Sequence, residues 1–151
     1  MKKVACMFAL SFALTLLIVK KGNSQAPDPQ QKYYADSLLF LLNKAPVDTN
    51  RINILNNLTT YLSRIRDYDG VLKYASEALE LSKKLDFNKG LKGAYQKLAM
   101  AYGVKNNYPE ALKYNFLVLK VDEATGNRWI SGTYVEISSI YYQQGKYKES
   151  L

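Results

Sequence analysis

The sequence predicts an all-α solenoid of antiparallel helix pairs stacked with a period of about 40 residues, and three observations carry that reading. Tyr68-Asp69-Gly70-Val71-Leu72-Lys73-Tyr74 aligns on Tyr108-Pro109-Glu110-Ala111-Leu112-Lys113-Tyr114, 40 residues on, and the pattern restarts 39 residues later at Tyr147-Lys148-Glu149-Ser150-Leu151. Upstream of each aligned tyrosine, Leu55, Leu58 and Leu62 correspond to Tyr95, Leu98 and Tyr102, then to Tyr134, Ile137 and Tyr141. Spacings of three and four place each set on one helix face. A small residue follows the central apolar one each time (Thr59, Ala99, Ser138), where it lets a second helix approach closely. Units of this kind cannot bury their apolar faces alone and stack on their neighbours.

Residues 1–26 read as a signal peptide. Lys2 and Lys3 precede an apolar run from Val4 to Val19, and Ser24-Gln25-Ala26 is a small-x-small exit. An uncleaved membrane anchor and a mis-called start are the alternatives, although the run is 16 residues and a span needs about 20. Cys6 lies inside the run, so it is not read as a lipid-modified cysteine. Residues 27–32, with Pro27 and Pro29, read as a flexible tether. Residues 33–46 form a capping helix with Tyr34, Leu38, Leu41 and Leu42 on one face, ended by Pro46. One of Asp48, Thr49 and Asn50 caps the next helix.

Unit 1 covers 50–88, unit 2 covers 89–127 and a truncated unit 3 covers 128–151. The second helix of unit 1 carries the stripe Val71, Tyr74, Ala75, Ala78, Leu79 and Leu81, matched in unit 2 by Ala111, Tyr114, Val118, Leu119 and Val121. Turns fall at Ser63–Asp67, Lys105–Asn107 and Gln143–Lys146. Gly126 is expected to end one helix and Asn127 to start the next. Trp129 opens unit 3, either packed on the preceding pair or exposed. The open apolar side of the third unit leads to the expectation that the natural chain continues past Leu151.

These residues resemble the tetratricopeptide repeat (TPR). The match rests on Leu98, Ala99, Tyr102, Tyr108, Ala111, Val118 and Leu119 in unit 2, and on Ile137, Ser138, Tyr141, Gly145 and Tyr147 in unit 3. Unit 1 departs, with Leu62 for the usual tyrosine, Arg66 for the turn glycine and Val71 for the usual alanine. The resemblance implies a right-handed superhelix. The minimal repeat has about 34 residues, so Lys83–Gly90 and Glu123–Arg128 are expected to extend the helices and lengthen the links. With its leader and the Asp48-Thr49-Asn50-Arg51-Ile52 junction, the chain looks like the exported N-terminal region of Bacteroidetes TPR signalling proteins of the sensor histidine kinase type. In that group a membrane helix and a cytoplasmic output follow the repeats.

Composition narrows the function. Lys2, Lys3, Lys20 and Lys21 leave with the signal segment, taking the net charge from +8 to +4, an ordinary surface rather than a nucleic-acid footprint. There is no histidine and no cysteine after Cys6, so nucleophile–base pairs, disulfides and redox chemistry are absent and the chain reads as a non-enzyme. No cofactor or metal site is expected; Asp67, Asp69, Asp122 and Glu123 read as capping or solvated acids. The glycines at 90, 93 and 103 fit no phosphate loop. Of the thirteen tyrosines, those at repeat positions read as core, leaving Tyr33, Tyr61 and Tyr142 as candidates for exposure.

The resemblance places ligand binding on the concave face, lined by the first helix of each unit. Carried over by position, that face holds Asn53, Asn56, Thr60, Ser63 and Arg64 in unit 1. Unit 2 contributes Gly93, Gln96, Met100, Gly103 and Val104, and unit 3 Gly132, Val135, Ser139, Tyr142 and Gln143. The alternative is that these are solvated helix positions and the site lies in other repeats. The expected ligand is a protein or peptide, with membrane association only through the leader or a later span. Three readings follow: an extracytoplasmic sensory module of a membrane signalling protein, a free periplasmic scaffold, or the non-catalytic part of an exported enzyme.

Overall fold

The computed structural model describes residues 29–127, 130–146 and 148–150. The expected signal segment, Trp129 and Tyr147 lie outside the described residues. Six helices follow one another: α1 (Pro29–Lys44), α2 (Thr49–Arg64), α3 (Tyr68–Lys84), α4 (Asn88–Val104), α5 (Tyr108–Ala124) and α6 (Ser131–Gln143). No strand occurs among the described residues. From α2 onward each helix packs on the next, and α2 also packs on α4, the arrangement of an all-α helical-repeat solenoid.

Helix α1 starts earlier than the sequence suggests, so residues 29–32 of the expected tether are helical. Pro29 is tolerated there because the first helical position needs no N–H and favours its fixed φ. Leu38 and Leu42 sink into a core shared with Ile54, Leu55 and Leu58. Arg51 of α2 holds the end of this helix. Its Nη1 donates to the carbonyls of Leu42 (2.7 Å) and Ala45 (3.3 Å), and its Nη2 to Glu77 of α3 (2.8 Å). The last carbonyls of a helix have no partner within it, so one guanidinium both satisfies them and ties α1 to the first pair. Asp48 is the N-cap of α2, accepting from the Arg51 amide at 3.0 Å.

The reversals from the end of α2 onward share one geometry. Arg66, Asp86, Asn106, Gly126 and Gly145 all have positive φ, between 49° and 71°. Around Arg66, its own amide donates to Ser63 and the Asp67 amide to Leu62, the paired bonds of a left-handed helix stop. The same pair recurs at each of the other four positions. The residue after the stop then caps the next helix: Asp67 accepts from Gly70, and Asn107 from Glu110. Phe87 holds the equivalent place before α4 without a side-chain capping bond.

That doubling of roles corrects two expectations. The link between units 1 and 2 is not lengthened, since α3 ends at Lys84 and α4 starts at Asn88; the extra residues lie in 17-residue helices. Asn127 does not cap α6, which begins at Ser131 with Ile130 in the cap position. The Asn127 carboxamide instead donates to Asp122 at 2.6 Å, because a buried carboxylate demands donors.

The expected stripes face inward with local exceptions. Val71, Ala75, Ala78, Leu79 and Leu81 are buried, as are Ala111, Val118 and Leu119, whereas Val121 is only half-buried. Asn115 and Asp122 are buried in unit 2 where unit 1 has Ala75 and Ser82. Tyr95 and Tyr102 of α4 flank Tyr114 of α5, with ring centres 6.0 Å and 5.7 Å away, the second pair stacked. Tyr61 is buried beside Tyr34, whereas Tyr33 and Tyr142 are exposed.

Gly90 marks the tightest crossing. A Cβ there would overlap Ser82 Oγ and lie 2.7 Å from the Phe87 ring and 2.9 Å from Ile52. Gly90→Ala is therefore expected to destabilise the fold by roughly 1–3 kcal/mol through overpacking, read by urea unfolding. Arg66→Gly should act oppositely, gaining about 1 kcal/mol by removing a side chain from a left-handed position. An unchanged midpoint for either variant contradicts its reading.

Candidate functional site

Helices α2, α4 and α6 present grooves between them. The α2–α4 groove encloses about 550 Å³ and is lined by Asn53, Asn56, Asn57 and Thr60 from α2 and Lys89, Lys92, Gly93, Gln96 and Lys97 from α4. Gly93 keeps its floor low, since a Cβ there would lie 3.2 Å from the Asn56 carboxamide. Asn56 Oδ1 is buried and has no hydrogen-bond partner among the described residues.

Two further hollows lie between α4 and α6. One, of about 350 Å³, is lined by Gln96, Lys97, Ala99, Met100, Asn115, Gly132, Thr133 and Glu136. The other, of about 310 Å³, adds Gly103, Val104, Asn106, Ser139, Ile140 and Gln143 around the same Ala99, Met100, Asn115 and Glu136. Gln96 and Lys97 are common to the first groove and the first hollow, so the recesses follow one another along the inner helices.

Of the residues singled out from sequence, Asn53, Asn56, Thr60, Gln96, Met100, Val104, Ser139 and Gln143 line these recesses, together with the three glycines 93, 103 and 132. Ser63, Arg64, Val135 and Tyr142 line none of them. The Ser63 hydroxyl donates to the Thr59 carbonyl at 2.7 Å, inside its own helix. Val135 and Tyr142, one heptad apart, project as exposed side chains from another flank of α6.

Sequence reasoning missed Asn57, Lys89, Lys92, Lys97, Asn115 and Glu136. Lys89, Lys92, Gly93, Gln96 and Lys97 follow the three-and-four spacing of one helix face, which is the signal that finds them.

The lysines differ in what they offer. Lys92 Nζ donates to Asp122 Oδ1 at 2.5 Å, and Asp122 is fully buried, so this charge is consumed in tying α4 to α5. Asp122 Oδ1 also accepts from Asn127, whereas its Oδ2 has no partner among the described residues. Lys89 and Lys97 form no ion pair with any described residue. Burial pushes the Lys97 ammonium below its ordinary value of 10.5, because a low-dielectric setting disfavours the charged form. The groove thus holds a cation that the fold itself does not neutralise. No group of three or more metal-ligating side chains occurs among the described residues, and no helix among them is long and apolar enough to cross a membrane.

Fold and grooves together define a helical-repeat solenoid with recesses along its inner helices. Its likeness to a solved structure agrees: the crystal structure of the apo form of RapI superposes with a TM-score of 0.74 at 14% identity, over 80% of this chain. The chain spans 35% of the length of RapI, and the likeness is one of fold. No protein-family model matches the chain, and no curated protein matches it by sequence.

The direction of the Lys97 shift gives a test. Its proton is held less tightly in the folded than in the unfolded chain, so this residue opposes folding below its lowered pKa and stops doing so as pH rises towards 10.5. Lys97→Met, of similar shape, is expected to raise Tm at neutral pH by about 1–3 °C, with the gain shrinking as pH approaches 10. A fall in Tm, measured by circular dichroism, means that the ammonium has a structural partner.

Proposed function

We propose that the inner face of α2, α4 and α6 binds an extended peptide or protein segment outside the cytoplasm, as the sensory N-terminal part of a membrane signal-transduction protein. One observation carries the binding role: recesses run along three successive inner helices, with a half-buried lysine that has no ion-pair partner among the described residues where two of them meet. Hydrogen-bonding side chains at Asn53, Asn56, Thr60 and Gln96 suit a peptide backbone, and Lys97 suits an acidic side chain or a terminal carboxylate. No aromatic side chain lines these recesses, so they lack the stacking platform that single-stranded nucleic acid uses, which favours a peptide. The leader at residues 1–26 supports export.

The test has two arms. A random dodecamer library panned against the purified chain should yield acid-containing peptides that bind wild type and lose at least tenfold in affinity to Lys97→Glu. Alkaline phosphatase joined after Leu151 should be active with residues 1–26 present and inactive without them, since that enzyme needs an oxidising compartment to form its disulfides. Peptides indifferent to Lys97→Glu overturn the groove as the site, and equal phosphatase activity in both fusions overturns export.

A further inference from the structure

Asn115 stands apart from every other groove residue because it comes from an outer helix. It lies on α5, is 5% exposed, and lines both hollows between α4 and α6. In unit 1 the equivalent place, 40 residues earlier, belongs to Ala75, which is wholly buried in the apolar core. The Asn115 carboxamide makes no hydrogen bond with any described residue, and it shares both hollows with Ala99, Met100 and Glu136. Its two donors and its acceptor are therefore open to whatever occupies the hollows.

We infer that Asn115 is the anchoring residue of a backbone-reading subsite, its Oδ1 accepting an N–H and its Nδ2 donating to a C=O of an extended peptide lying between α4 and α6. This inference rests on the peptide-binding reading above and names the group that fixes peptide register. Gly103 and Gly132 leave room for the ligand backbone to reach the floor, and a small or medium apolar side chain fits beside Met100 and Ile140. A carboxamide reads main chain rather than side chain, so the subsite sets register and the lysine end sets composition.

The probe is the tightest dodecamer selected on wild type, made as a series with one backbone nitrogen methylated at a time. One position is expected at which methylation weakens binding to wild type at least tenfold but to Asn115→Ala less than twofold, the coupling expected of a direct bond. Asn115→Ala keeps the groove open, and Ala75 shows that the fold accepts alanine at this place. Asn115→Leu should fill the hollow, abolish binding and raise Tm, whereas a structural asparagine would lower Tm on the same change. If methylation effects are identical in wild type and Asn115→Ala while Lys97→Glu still weakens binding, the inference falls and the groove reading stands. If no peptide is retained by wild type, both fall.

Discussion

The reversal between helices constrains everything else in this chain. From α2 onward each passes through one residue in the left-handed region, at Arg66, Asp86, Asn106, Gly126 and Gly145, and at each that residue's own amide and the next close back on the preceding helix. Such a stop satisfies carbonyls that a helix end otherwise leaves without partners. Because residue 67, 87 or 107 also sits at the N-cap of the following helix, three residues suffice to turn the chain. Helices α3, α4 and α5 then have 17 residues each, about 26 Å at 1.5 Å per residue, so their ends and faces stay in step along the stack. Asn and Asp tolerate the left-handed region through their short polar side chains; Arg66 does not, and the two closing bonds hold it there against a cost of about 1–2 kcal/mol.

Where the two complete units differ, the difference is polar. Ile52 and Ser82 of unit 1 meet Gly90, and their counterparts 40 residues on are Lys92 and Asp122, which form a buried ion pair. Exchanging an apolar contact for a buried pair is not a gain in stability, since removing two charges from water offsets their attraction. Its consequence is directional: it neutralises Lys92 within the groove and leaves Lys97 and Lys89 as the uncompensated cations there. Ala75 becoming Asn115 has the same character. Both changes fall in unit 2, between the two grooves.

Much of the fold was legible because the repeat imposes a period that side chains report faithfully. Leu55, Leu58 and Leu62 are all buried, and Leu98 and Ile137 keep the same place in their own units. The tyrosines at these positions are less sunk, and Tyr134 is half exposed, since a phenol keeps its hydroxyl near water. What escaped were features that depend on a partner chosen in space. Asn127 reads as a cap until Asp122 is seen to need a donor, and Tyr61 reads as surplus until Tyr34 is found beside it. Of the groove, positions inherited from repeat geometry were legible. Asn115 was not, because it reaches the site from the outer helix behind it.

The spacing of the inner helices explains why the recesses are unlike one another. Gly90 and Gly93 bring α4 against α2 and let Asn56 lie across the floor, so that groove is broad and polar. No close crossing of this kind joins α4 to α6, and a Cβ at Gly132 would meet nothing within 4 Å. The gap descends instead to Asn115 on α5. Charge is not uniform along them: Lys89 lies in the α2–α4 groove, Glu136 in the α4–α6 hollows, and Lys97 in both. Under the peptide-binding proposal, an extended ligand across these helices would meet Lys89 at its α2 side and Glu136 at its α6 side. A peptide laid down in reverse would put its acid nearer Glu136, so in that proposal the three inner helices would also set the direction of the ligand.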